Sequence, residues 1–284
     1  MNIYSASSNS LEIDGIPFTF GKYNYWDGTH PVAHLTQPLI VATGGVISGS
    51  DANDISINGY LVGNGTGGGD PAWACGDLLV DNRDGRDYRT VQIGSQCWMA
   101  ENLNIGTMVN GSNNQTNQGN IQKYCYNNDA SNCTTYGGLY QWRAAMQFVT
   151  TAGTQGICPS GWHIPTDNEY KTLEMQLGIS SSQANQTGWR GTDEGSKLAG
   201  NEPLWNDGNL DSDANFGISG FTGLPGGIRF TSGSFNYLTH ITYFWSSSEN
   251  GTNAWYRHLK YNNTKVLRQN HHKAYGFNVR CLRD

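Results

Sequence analysis

The chain has 284 residues, enough for one large domain or two modest ones, and only 14% of them are charged, against roughly 25% in typical soluble domains. Aromatic residues reach 12%, which excludes a disordered chain, and the formal net charge of −6 speaks against a general nucleic-acid binder. No apolar run approaches the roughly 20 residues that span a bilayer.

The opening MNIYSASSNSLEIDG has no charged segment followed by an apolar core. It does not read as a signal peptide, and a leader or anchor is expected upstream of the chain. Residues 1–70 hold the short alternating segments SLEIDGIPFTFGKY, PLIVATGGVISG and DISINGYLVG, with turn signals at Asp14-Gly15 and Asn58-Gly59. They predict a small β-rich N-terminal region, a stalk or docking module. It ends in a Gly-rich linker, GNGTGGGDP, at 63–71.

A second domain is expected over 71–284. Asp84-Gly85 marks a hairpin turn before the alternating YRTVQIG, and an Asn/Gln/Gly loop follows. LYQWRAAMQFV predicts a helix with Leu139, Trp142, Met146 and Val149 on one face. PTDNEYKTLEMQLG predicts another, opened by a Thr166–Glu169 capping box, closed by Gly178 and burying Tyr170, Leu173 and Leu177. Beyond residue 185 little helix is expected except one turn in DEGSKLAG. Gly, Asn and Ser interleave with aromatic residues up to YFWSSSE. A run crowded with Asn, His, Tyr, Lys and Arg then leads into GFNVRCL. The run reads as polar loop and surface, and GFNVRCL reads as a buried final strand.

The six cysteines are Cys75, Cys97, Cys125, Cys133, Cys158 and Cys281. They are even in number and contain no C-x-x-C pair, which argues against a zinc ribbon or a thioredoxin-like site. Three disulfides in an oxidising, extracellular or cell-surface setting are expected. Counting alone leaves every pairing open.

DNRDGRDYRTVQIGSQCWMAENL, CYNNDASNCTTYGGLYQW, ICPSGWHIPTDNEYKTLE, LPGGIR, FWSSSE and GFNVRCLRD occur in that order. Together they resemble the Fibrobacter succinogenes major paralogous domain. The resemblance covers nearly three quarters of the chain and leaves residues 1–70 outside. It implies an α+β, C-type-lectin-like fold in a bacterial protein, with terminal strands paired, two flanking helices and a long loop region carrying the ligand face. That fold commonly staples the second-helix region to the last strand, where Cys158 and Cys281 sit. Such a closure contributes roughly 4–5 kcal/mol in the chain-entropy model. Cys125 and Cys133, eight apart in an Asn-rich loop, are expected to pair locally, which leaves Cys75 with Cys97 across the opening hairpin.

Some members with this fold are variable proteins of diversity-generating retroelements. In those, mutated adenines scatter Asn codons just before the final strand. The resemblance therefore implies a hypervariable face made by Asn253, Trp255, Tyr256, His258, Tyr261, Asn262, Asn263, Arg268, Asn270, His271, His272 and Tyr275. The makeup of that run is paratope-like, with Trp255 as an anchor and Arg257 and Arg268 as hot spots. The implied function is non-enzymatic binding of a protein or glycan on another surface. The alternative is a fixed adhesin or lectin that binds polysaccharide, with or without calcium.

Catalysis is the weaker expectation. Formylglycine-generating enzymes share the broad fold and use reactive cysteines, but every cysteine here has a structural partner in prospect. No cofactor is expected. EPLWND, residues 202–207, resembles fused calcium-lectin signatures, and Asp207, Asp211 and Asp213 could take calcium. A solvated acidic loop is the plainer reading. His258, His271 and His272 read as exposed histidines rather than a metal site. His163 reads as packed, and Trp98, Trp142, Trp162, Trp205 and Trp245 read as core.

Overall fold

The computed structural model describes residues 73–117 and 119–284, and of the N-terminal region only the backbones of short strands. The chain divides into two units, Met1–Ala74 and Cys75–Asp284. In the first, Ile3–Ser5, Ser10–Ile13 and Ile16–Thr19 form an antiparallel sheet, and Ile47–Ser48, Ser56–Ile57 and Tyr60–Leu61 form another. Tyr25–Trp26 pairs with Pro31–Val32. The Gly-rich stretch at 63–71 and the turns at Asp14-Gly15 and Asn58-Gly59 lie outside the described residues.

The second unit is α+β. It opens with a hairpin, Leu79–Asp81 paired with Arg86–Tyr88, around the expected Asp84-Gly85 turn. Strands β1 (Thr90–Ile93), β2 (Gln96–Met99), β12 (Leu282–Arg283) and β4 (Trp162–His163) form one sheet in the order β1-β2-β12-β4. The last strand therefore sits between early ones, with Trp98 opposite Leu282 and His163 also opposite Leu282. A second sheet runs β3 (Tyr140–Gln141), β11 (Gly276–Phe277), β6 (Ile228–Arg229) and β7 (Phe235–Asn236). The third has the order β5-β10-β9-β8, made by Gly188–Arg190, Asn263–His272, Asn253–Lys260 and Ile241–Asn250. The polar run expected as loop is thus an antiparallel hairpin, Asn253–Lys260 paired with Asn263–His272.

Two of the helices matter most here. The first expected one is cut to a single turn, α1 (Trp142–Ala145), because Tyr140 and Gln141 pair as strand with Phe277 and Gly276. Gln147 and Phe148 then turn to φ 50° and 62°, which ends the helix and leaves Val149 exposed. Leu139, Trp142 and Met146 are buried as expected. Helix α2 (Asp167–Leu177) starts at the Thr166–Glu169 capping box and stops at Gly178. Glu169 Oε2 accepts from the Thr166 amide at 2.7 Å, and Thr166 Oγ1 accepts from the Glu169 amide at 3.2 Å. A short α3 (Glu194–Leu198) forms in DEGSKLAG. A Cβ on Gly195 would stand 2.2 Å from the Lys265 carbonyl oxygen, so only glycine lets this turn lie against β10.

The core lies around α2 between the sheets. Trp98 touches Tyr170 and Phe221, with ring centroids 5.2 and 5.6 Å away, and Phe221 meets Phe244 at 5.5 Å. Leu173, Leu259, Val266 and Leu282 complete it. Trp142, Trp162, Trp205 and Trp245 are buried too. Three disulfides, Cys75–Cys97, Cys125–Cys133 and Cys158–Cys281, staple the unit in the expected pairings. They fit an oxidising, extracytoplasmic setting. No helix among the described residues is long and apolar enough to cross a membrane.

The buried face of α2 is not only apolar. Asp167 and Glu174, two turns apart, lie on the same side as Tyr170. Arg190 from β5 grips Glu174 with two hydrogen bonds, at 2.8 and 2.7 Å. Arg268 from β10 grips Asp167 the same way, at 2.8 and 2.7 Å. Arg257 from β9 bridges both acids, with Nη1 2.9 Å from Asp167 and Nε bonded to Glu174. Burial pulls the Asp167 carboxyl upward, but the Arg268 and Arg257 guanidiniums outweigh it and hold the group well below its usual range.

Glu174→Gln would leave two buried guanidiniums facing a neutral amide. It should cost about 3–5 kcal/mol. Glu101→Gln removes only the exposed pair with Arg89 and should cost less than about 1 kcal/mol. Urea unfolding of the two variants measures the difference.

Candidate functional site

Strand β9 is covered on both faces, and its alternation sorts its side chains. Arg257 and Leu259 point to α2, with Trp255 and Asn253 continuing that row beyond the helix start. Tyr256 and His258 point the other way. Register carries the same division across the sheet. Arg257 lies opposite Arg268 and Trp255 opposite Asn270, while His258 lies opposite Leu267 and Tyr243.

The outer face is a continuous train of rings. Trp189 of β5 meets His258 edge-on at 5.3 Å, and His258 meets Tyr243 at 4.3 Å. Tyr243 stacks on Phe277 of β11 at 4.5 Å. Tyr256 lies 5.3 Å from both and reaches His271 at 6.2 Å. His271 touches Tyr275 at 3.9 Å, and Tyr275 leads to Phe230 and then Tyr237. The train is wet at several points: Trp189 is 36% exposed, Tyr237 55%, and Tyr243, His271 and Tyr275 are half-buried beside the exposed Gln269. Its lysines, Lys260 and Lys265, sit at the turn end of the hairpin.

Both histidines of the train are held neutral. Burial, and then the charge of Lys260, pull the His258 imidazole down to about 3. Burial and the neighbouring His272 lower His271. The face therefore offers neutral ring edges and hydroxyls at physiological pH, a surface suited to stacking and adaptable hydrogen bonds.

The expected ligand residues split among three places. Tyr256, His258, His271 and Tyr275 join the ring train. Asn253, Trp255, Arg268, Asn270 and His272 belong to the opposite side. Tyr261 and Asn262 form the turn, with Asn263 beginning β10.

Three of them are buried, contrary to expectation. Arg268 is 5% exposed because it ion-pairs with Asp167, and Trp255 lies under its guanidinium at 3.7 Å. His258 and Tyr256, 7% and 6% exposed, are walled in by neighbouring rings. Arg257, expected as a hot spot, is fully enclosed in the ion network. Asn253 donates to Asn270 across the strands at 2.8 Å. His272, with Lys273 and Ala274, lines an open cleft of about 560 Å³ together with Arg143 and Phe148. His258 and His271 face away from His272, so the three do not converge on a metal.

Sequence reasoning missed Trp189, Tyr243, Phe230 and Tyr237. Period-two reading of ITYFWSS would have set Tyr243 and Trp245 on one face. Trp189, alone among polar residues in TGWRG, gave no periodic signal.

His163 is packed as expected. Its Nδ1 lies 2.6 Å from Asp284 and its Nε2 3.1 Å from Glu169, which ties the chain end to the helix cap. In the acidic loop, Glu202, Asp207 and Asp211 bring carboxylate oxygens within 4.8 Å of one another. Asp213 instead accepts from the Asn215 amide.

The model of one protein family, the Fibrobacter succinogenes major domain, matches residues 91–283. No curated protein and no solved structure matches the chain.

An imidazole that stays neutral to about pH 3 when folded, yet titrates near 6.5 when unfolded, resists proton uptake only in the folded state. Its stabilisation is complete above pH 6.5 and is lost as the pH falls toward 3. His258→Phe, which keeps a ring in place, should flatten the loss of stability on acidification. Urea unfolding across that window decides; equal acid sensitivity in the two proteins contradicts a buried neutral His258.

Proposed function

We propose, for a chain that belongs to the Fibrobacter succinogenes major domain family, a non-enzymatic binding role centred on the outer face of the β8–β10 sheet. The observation that carries this reading is the two-sidedness of the hairpin. Its inner face is locked by two carboxylates and three arginines, while its outer face gathers neutral, half-exposed rings. Rings provide large contact area at low entropic cost, and Gln269, Asn262 and Asn263 add adaptable polar contacts at the margins. The partner is a protein or glycan on another surface, and the protein acts outside the cell or on its surface.

The scaffold is read as C-type-lectin-like. Supporting that are the last strand paired beside β2, α2 packed between sheets, and the Cys158–Cys281 staple to the chain end. All six cysteines are spent in disulfides, which leaves no thiol nucleophile and favours binding over cysteine-based catalysis. Residues 1–70 are read as the stalk or docking module.

Diversification by a retroelement is part of the same proposal, in a narrower form than composition implies. Positions whose side chains hold the sheet together cannot scatter freely. Sequencing the 3′ end of the gene in many sibling cells should show substitutions at Asn262, Asn263, His271 and Tyr275. Arg257, Leu259, Val266 and Arg268 should stay fixed. Identical 3′ ends in every cell would remove the retroelement and leave a fixed adhesin.

A second reading, a calcium-dependent lectin, is favoured by one observation, the grouping of Glu202, Asp207 and Asp211. In that case calcium raises the melting temperature and Asp207→Asn abolishes the rise. A melting temperature indifferent to calcium removes this reading.

A further inference from the structure

Away from the β8–β10 sheet, a cleft of about 830 Å³ opens between the first hairpin and the loops around Asn201 and Thr222. Its volume falls within the roughly 300–1,000 Å³ range of small-ligand sites. We propose that this cleft is a second binding site, and that it takes a polyhydroxylated ligand of the oligosaccharide class.

Two of the residues that line it each carry a buried polar atom without a hydrogen-bond partner, Nε of Arg86 and Oδ1 of Asn104. Asn104 is otherwise fully engaged. Its amide donates to the Tyr88 hydroxyl at 3.0 Å, its Nδ2 donates to the Cys133 carbonyl at 2.8 Å, and its carbonyl accepts from Lys123 Nζ at 2.8 Å. The side chain is thus oriented by its own partners with one acceptor left over. Arg86 lies nearby: burial first, and then the Arg86 charge, lower the Lys123 ammonium. The guanidinium of Arg86 has no carboxylate partner among the described residues.

Buried polar groups in folded chains almost always find partners, so an orphaned donor and an orphaned acceptor on residues of one cleft call for a use. Hydroxyls supply both kinds of bond, since each can donate as well as accept. Asp87 and Asn201 line the same cleft and make no side-chain hydrogen bond within the described residues. They extend the alternation of donors and acceptors. Asp87, Glu101 and Glu202 on the walls speak against an anionic ligand.

The wall is also strained and held. Asn201 and Thr222 have φ of 58° and 52°, in the left-handed region, which is costly for a β-branched residue. Thr222 is fixed by the fully buried Arg280, whose Nη2 donates to its carbonyl at 2.6 Å. A Cβ on Gly200 would stand 2.7 Å from the Thr222 Cα, so the two segments are pressed together. Strain maintained by its surroundings in this way gathers at ligand sites. None of the lining residues belongs to the ring face, so the two sites are independent.

The test is an NMR titration of the isotope-labelled full chain with cellotetraose, xylotetraose, mannotetraose and chitotetraose. The readouts are the Asn104 side-chain amide and the Asn201 and Thr222 backbone amides. At least one tetrasaccharide should shift these signals saturably. Arg86→Ala, which breaks no ion pair within the described chain, should weaken that binding by about tenfold or more while the rest of the spectrum is kept. The proposal is overturned if no tetrasaccharide moves them, if Arg86→Ala binds as well as the parent, or if shifts are confined to the ring face. Equal shifts with inorganic phosphate alone overturn the ligand class.

Discussion

Two carboxylates on one helix organise the C-terminal unit. Asp167 and Glu174 stand two turns apart on the buried side of α2, and three arginines from three neighbouring strands converge on them. Desolvating such groups is expensive, and their value lies less in net stability than in uniqueness. An apolar seam would let the hairpin slide or rotate on the helix. Paired guanidinium forks fix each strand at one register, and a one-residue slip would bring the rings inward and the arginines out. The ring train on the far side exists as a surface because the near side has one permitted arrangement.

The same network explains what the sequence made hard to read. The capping box at Thr166 and the stop at Gly178 are local signals, and the helix they delimit is the one observed. The Cys158–Cys281 pairing followed from where the resemblance put the last strand, Cys125–Cys133 from their closeness in the chain, and Cys75–Cys97 from what remained. The hairpin of 253–272 was opaque for a different reason. A strand covered on both sides loses the simple alternation of apolar and polar residues. Here its buried positions are filled by Arg257, Arg268, His258 and Tyr256, residue types that ordinarily mark surface. The partners that make such burial tolerable lie 90 and 101 residues away in the chain, at Asp167. No window of sequence contains both halves. The opposite error occurred at LYQWRAAMQFV, where good helical spacing was overridden after one turn by pairing with Gly276 and Phe277.

Of the candidate site, the location was legible and its sidedness was not. The crowding of Asn, Tyr and His pointed to the right stretch. Which residues face a partner depends on register, set by β8 and by the bulge between Trp245 and Glu249. Trp189, Tyr243, Phe230 and Tyr237 enter the face from segments with no compositional mark. The proposed binding role therefore rests on a surface assembled from five strands and the loops that carry Phe230, Tyr237 and Tyr275, not on one variable tail. A scaffold of this kind can accept change at its rim while its inner face keeps the geometry.

The most direct test is native-state amide hydrogen exchange of the hairpin 253–272. If the inner-face ion network clamps these strands, their amides exchange only with global unfolding and rank with those of α2. In Glu174→Gln they should open earlier than β1 and β2. Exchange of the wild-type hairpin at the rates of an exposed loop would contradict the account, because it would mean that the polar run is the unanchored surface its composition suggests.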